Sequence, residues 1–143
     1  MKITRKSTHS VYSLKVHLVW VTKYRYHVLQ GSIQRRCRDI LRQVCDANDI
    51  RILKGVVSKD HIHMHLSYPA KLSVIEIVKR LKGRSARILL REYPRLQERY
   101  WGRHFWAIGY EAWSTGNLSD DLVQEYLSHH VDYPNSDEHF LLG

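Results

Sequence analysis

Apolar and polar residues change their period several times along the chain, and each change predicts an element. Between Tyr12 and Val21 (YSLKVHLVWV) β-branched and aromatic residues are dense, which predicts a first strand. From Ser32 to about Asn48, Ile33, Cys37, Ile40, Leu41, Val44 and Cys45 recur at helical spacing, with Ser32 as candidate N-cap. Arg51 to Val57 predicts a second strand, and His61 to Tyr68 a third, after a gap short enough only for a hairpin. Ser73 to Glu92 is helical again, with a stripe of Val74, Ile77, Val78, Leu81, Ser85 and Ile88 facing the sheet. Phe105 to Trp113 returns to strand. After the polar loop Ser114-Thr115-Gly116-Asn117, a last helix is expected from about Ser119 to Val131, with Leu122, Val123, Tyr126 and His130 on one face. Beyond Pro134 the tail carries little pattern, although Phe140-Leu141-Leu142 could dock on a partner surface.

This order predicts an α+β, ferredoxin-like split βαβ fold: an antiparallel sheet, two helices on one face, and a C-terminal helix. One domain is expected over 1–143, with a core at about 10–131 and a tail at 132–143. The second sheet face is left for a ligand, a partner or the last helix. This arrangement hosts many functions, so function must come from particular residues.

The sharpest of these are in the third strand, His61-Ile62-His63-Met64-His65. Residues two apart in a strand project from one face, so three imidazoles align if Ile62, Met64 and Leu66 enter the core. Imidazole is the commonest protein ligand for transition metals, and the pattern points to a metal or catalytic site on an accessible face. Charge adds a second clue. A formal net charge of +9 without a membrane signal points to a polyanionic partner, with nucleic acid first. No apolar run approaches a membrane span, and no signal peptide opens the sequence. Cys37 and Cys45 form neither a CxxC pair nor a disulfide framework, so reduced thiols and a cytoplasmic, nucleoid-associated protein are expected.

Cations cluster in three places. On the second helix Arg80, Arg84, Arg87 and Arg91 form a stripe beside the apolar one, and only Glu76 and Glu92 oppose it. Guanidinium forks match phosphate oxygens bidentately, so Arg80, Arg84 and Arg87 are candidate DNA contacts; a solvated charged face is the plain alternative. Lys23-Tyr24-Arg25-Tyr26 and Trp101-Gly102-Arg103-His104-Phe105-Trp106 interleave cations with rings, a mixture suited to phosphate binding with base stacking. Lys23, Tyr24, Arg25 and Arg103 are the candidates there, while core packing is at least as good an account of Trp106 and Trp113.

Taken together, Lys59-Asp60-His61-Ile62-His63 with Tyr126 on a C-terminal helix resembles the HUH single-tyrosine transposases (TnpA) of IS200/IS605-type insertion sequences. HUH denotes His, bulky hydrophobic, His. The resemblance extends through His17–Arg25, Leu81–Ser85, Tyr100–Trp106 and Glu125-Tyr126-Leu127, from about residue 10 to 131. It implies metal-dependent cleavage and rejoining of single-stranded DNA at the element's ends. Tyr126 would attack the scissile phosphate to form a 5′-phosphotyrosine. A divalent ion, Mg²⁺ or Mn²⁺, would be held by His61, His63 and a ligand four residues after the tyrosine. Family members often carry Gln there; this chain has His130. Asp60 sets the motif at His61 and His63, leaving His65 as a helper or DNA contact. The resemblance further implies subterminal DNA hairpins as substrate and a homodimer whose active site is shared between subunits. Competing readings are a non-catalytic nucleic-acid-binding module, a metal hydrolase using His61, His63 and His65, and a domesticated nuclease acting on host repeats.

Overall fold

A computed structural model of the chain describes residues 4–101, 104–114 and 138–140, the last segment as backbone. The expected helix at 119–131, with Tyr126 and His130, and the position of Arg103 lie outside the described residues.

A short ribbon, β1 (Arg5–Lys6) with β2 (Val11–Tyr12), precedes the main sheet. The first predicted strand is therefore split: its body is β3 (Lys15–Val21). A 3₁₀ turn at Lys23–Arg25 leads to α1 (Gly31–Ala47). The hairpin β4 (Arg51–Val57) and β5 (His61–Ser67) follows, then α2 (Val74–Glu92), a short α3 (Pro94–Arg99), β6 (Glu111–Ser114) and β7 (Glu138–Phe140). The strand order is β6-β3-β5-β4-β7, and every pairing in it is antiparallel. Its first four strands have the split βαβ order, with the first and third strands central. β7 extends the sheet beyond β4, so Phe140 lies on an edge strand of the chain's own sheet.

The core lies between sheet and helices. Val16, Leu18 and Trp20 of β3 and Ile62, Met64 and Leu66 of β5 join Ile33, Cys37, Ile40 and Leu41 of α1 and Ile77, Leu81 and Ile88 of α2 in one buried cluster. Burying these side chains removes them from water and fixes which face each strand turns inward. Both cysteines are free and buried, and burial pushes both thiols upward, Cys45 to about 12. No helix among the described residues is long and apolar enough to cross a membrane.

Two boundaries depart from the sequence reading. Ser32 does not cap α1: the helix begins one residue earlier, at Gly31 in a left-handed conformation (φ +59°), and the cap position is Gln30 with no side-chain hydrogen bond. Ser73, by contrast, caps α2 in a reciprocal box, its Oγ accepting from Glu76 N at 3.1 Å while Glu76 Oε1 accepts from Ser73 N at 3.1 Å. The second departure is the strand expected at Phe105–Trp113. It pairs regularly only from Glu111, with Trp106 making a single bridge to Thr22. Lys82 Nζ donates to the carbonyls of Ala107 and Gly109 at 2.9 and 2.8 Å, so those groups are committed to α2 instead of a ladder. The rings of Phe105 and Trp106 pack edge to face at 4.6 Å in the core. Trp106 Nε1 donates to Ser85 Oγ at 3.0 Å, which explains the serine within the apolar stripe.

Candidate active site

Alternation along β5 sends Ile62, Met64 and Leu66 into the helix-covered core and His61, His63 and His65 to the opposite face. Antiparallel register sets His17 of β3 directly across from His65, and Val19 across from His63. His17 thereby joins the row, a residue that the histidine alternation alone did not single out. Its ring stacks on His65 with centroids 4.0 Å apart and planes 10° apart. Its Nδ1 lies 3.1 Å from His63 Nε2, so one proton links the two imidazoles.

The face is not open in this chain, contrary to the accessible face that the sequence reading expected. His61 and His63 are each only 5% exposed, and His17 only 2%. The His17 ring stacks beside His63 with centroids 5.3 Å apart, and the Asp60 carboxylate engages His61. Burial lowers the His63 pKa to about 3, with His17, Lys54, His61 and His65 adding like-charge repulsion. His63 is therefore a neutral imidazole at ordinary pH, the form that donates a lone pair.

Asp60, immediately before the strand, organises the second histidine. Its Oδ1 accepts from His61 Nδ1 at 2.9 Å, and its Oδ2 accepts from Arg25 Nη2 at 3.1 Å, with His27 Nε2 at 3.9 Å. Burial would raise the Asp60 carboxyl, but the His61 hydrogen bond and the charges of Arg25, His61 and His27 outweigh it and hold it below its ordinary value. Arg25 reaches Asp60 because the Lys23–Arg25 turn takes two successive non-glycine residues into the left-handed region, Tyr24 at φ 61° and Arg25 at φ 52°. Such conformations cost about 1–2 kcal/mol each and persist where the surroundings demand them. The turn also leaves Tyr24 67% exposed beside Lys23, whose Nζ is 5.4 Å from the ring centroid.

The donor chemistry suits a divalent ion. His61 donating Nδ1–H to Asp60 keeps its Nε2 lone pair, and His63, engaged with His17 through Nε2, has Nδ1 as its remaining nitrogen. Metal-binding histidines characteristically engage their second nitrogen in this way. Among the described residues, however, no group of three or more His, Cys, Asp or Glu side chains is placed to hold a metal. The three-histidine site of the hydrolase reading is thus not formed, and His65 stacks on His17 instead.

The arginine stripe stands elsewhere. Arg80, Arg84 and Arg87 are exposed on α2 and line a groove of about 500 Å³ with Gln43, Ala47 and Asn48 of α1. This is the outer side of the helix layer, across the core from the histidines. Arg80 is partly engaged by Glu76 at 3.9 Å and by Asn48 Oδ1. Of the ring-rich run 101–106, Phe105 and Trp106 are core residues, whereas Trp101 is 87% exposed.

A family model described as IS200-like transposase matches residues 10–130. The chain belongs to that transposase family. Membership carries DNA cleavage and rejoining as its activity, and it places the histidine row and its Asp60–Arg25 support inside the matched region. Two similar proteins are the ISDra2 transposase TnpA of Deinococcus radiodurans and the transposase for insertion sequence element IS200 of Salmonella typhimurium. The first is 34% identical over 123 residues, 86% of this chain and 88% of the relative. The second is 34% identical over 124 residues, 87% of this chain and 81% of the relative. The fold of the family is also that of a crystal structure of a candidate transposase from D. radiodurans R1, with a TM-score of 0.75 and 30% identity over 87% of this chain and 96% of that one. A REP-associated tyrosine transposase bound to a REP hairpin shares the fold at TM-score 0.56 and 16% identity, over 90% of this chain and 70% of that one.

Proposed function

We propose that this transposase cuts and rejoins single-stranded DNA at the ends of an insertion sequence, using the oxygen of Tyr126 as nucleophile and His61, His63 and His130 as ligands of Mg²⁺ or Mn²⁺. The observation that carries the reading is the pair of imidazoles on one face of β5, each with its second nitrogen already engaged, in a chain of the IS200-like family. Asp60 holds the tautomer and orientation of His61, and Arg25 holds Asp60. A bound divalent ion supplies Lewis-acid polarisation of the scissile phosphate. Tyr126 forms the new O–P bond while the 3′ oxygen leaves, and the retained phosphotyrosine bond energy later drives rejoining without ATP. The substrate in this reading is single-stranded DNA carrying subterminal hairpins. The protein acts as a homodimer, the tyrosine of one subunit serving the histidine pair of the other.

Incubation with single-stranded DNA from the element's ends tests this directly. Wild-type protein should form a denaturant-resistant DNA adduct that requires Mg²⁺ or Mn²⁺, and Tyr126→Phe should bind the hairpin yet form none. An adduct that persists in Tyr126→Phe makes another tyrosine the nucleophile, with Tyr133 next to be tested. Tight binding without any adduct from wild type would favour the non-catalytic binding module.

A further inference from the structure

A cavity beside the histidine row belongs neither to the imidazoles nor to the arginine stripe. It measures about 620 Å³, within the ~300–1,000 Å³ range of ligand sites, and its polar lining is Arg25, Tyr26, His27, Gln30, Arg95 and Arg99. Two guanidiniums come from α3, a helix of six residues that the sequence pattern did not reveal. Arg99 lies over the Tyr26 ring, 3.9 Å from its centroid, so its plane is held while its N–H edge stays available. Among the described residues neither Arg95 nor Arg99 forms an ion pair. The carboxylate at hand, Asp60, is already committed to Arg25 and His61. The cavity therefore carries uncompensated positive charge, while half-buried Val28, backed by the core residues Ile33 and Leu96, gives it an apolar wall.

We infer that this cavity receives one unpaired nucleotide of the single-stranded DNA, next to the phosphate handled by the histidine pair. The inference rests on the single-strand reading proposed above. Arg95 and Arg99 grip the nucleotide's phosphate, since planar guanidiniums bond phosphate oxygens in pairs. The base lies against the apolar wall at Val28, with the Gln30 amide at its polar edge. Arg25 lines the cavity and binds Asp60, which binds His61, so the pocket opens two hydrogen bonds from the catalytic imidazole. An extended strand turns a base into such a recess, whereas a stacked duplex presents only its backbone at the rim.

Fluorescence anisotropy with labelled oligothymidylate, titrated over salt, separates the possibilities. Arg95→Ala and Arg99→Ala should each weaken binding about tenfold and lower the log–log salt slope by about 0.7. Both side chains are exposed, so the fold should tolerate the changes. Arg51→Ala removes the same charge at the opposite end of the sheet, where Arg51 pairs with Ser67, and should leave slope and affinity unchanged. If the α3 variants match wild type, or match Arg51→Ala, the cavity is not a nucleotide site although the single-strand reading stands. Wild-type protein that ignores oligothymidylate altogether removes both.

Discussion

Acid should loosen this protein through His63 in particular. The group is neutral in the fold down to about pH 3 but titrates near the ordinary histidine value of 6.5 once unfolded. Between those values the unfolded chain binds one more proton than the folded chain, so stability rises with pH, or falls as acid is added. Each pH unit is worth about 1.4 kcal/mol, and the full window therefore costs at most roughly 5 kcal/mol. Solvent screening takes little from this, because the ring is 5% exposed. The assay is urea unfolding of wild type and His63→Gln at a series of pH values with metal chelated. The glutamine can still bond His17 but cannot titrate. At pH 7 the variant should be less stable by about 1–2 kcal/mol from imperfect packing and hydrogen bonding. Toward pH 4 the difference should shrink and then reverse sign. A wild-type minus variant difference that stays flat from pH 7 to pH 4 would refute a buried, neutral His63.

Asp60→Asn removes the carboxylate that orients His61, a change that should raise the metal concentration for half-maximal adduct formation by about 10–100-fold while hairpin binding holds; an unchanged metal requirement defeats the positioning role. Its effect on stability should be small against Arg25, which is half exposed, and present above about pH 4, fading as acid protonates the wild-type carboxylate; denaturation at pH 7 and pH 3 checks the sign. On α2, Arg84→Ala and Arg87→Ala should each lower the salt slope of hairpin binding by about one unit, and Arg80→Ala by less because Glu76 and Asn48 already engage it; three unchanged slopes make the stripe a solvated face. Ser73→Ala breaks the capping box and should cost about 1 kcal/mol by thermal or urea unfolding, with no change in DNA binding.

The elements that could be read from the chain are those whose signal is periodic and local. The α1 stripe from Ile33 to Cys45 is buried throughout, and the alternation of β5 divides core from histidines residue by residue. Ser73 opens α2 because serine three residues before glutamate is itself the capping chemistry. Ser32 looked equivalent, yet the chain enters α1 through a left-handed glycine instead. Phe105–Trp113 misled for a tertiary reason: its aromatic content fits a strand equally well, but Lys82 and Ser85 on a distant helix claim its polar groups. Pairing of β7 with β4 joins residues more than eighty positions apart, and no local pattern encodes such a contact.

The site was legible to the same depth. Strand alternation, a local rule, gave the row of three histidines, and the family resemblance singled out His61, His63 and the aspartate beside them. They did not give His17, whose role depends on which strand lies beside β5 and in what register. Nor did they give burial, which sequence cannot show for a polar residue. That burial changes the physical account of the pair. An exposed imidazole spends its time partly protonated near neutral pH, whereas His63, enclosed by three other imidazoles and near Lys54, is held in its lone-pair form. His61 is fixed by another device, an aspartate at 2.9 Å that orients the ring and holds the Nδ1 proton. The fold thus uses two different devices, desolvation for one imidazole and a charged acceptor for the other, and they respond differently to substitution. Removing the acceptor leaves His61 in place but free to change tautomer. Opening the packing around His63 returns it to water and to its proton. Variants of Asp60 and of His17 should consequently separate, the first altering metal affinity at constant pH and the second altering the pH at which metal binding begins.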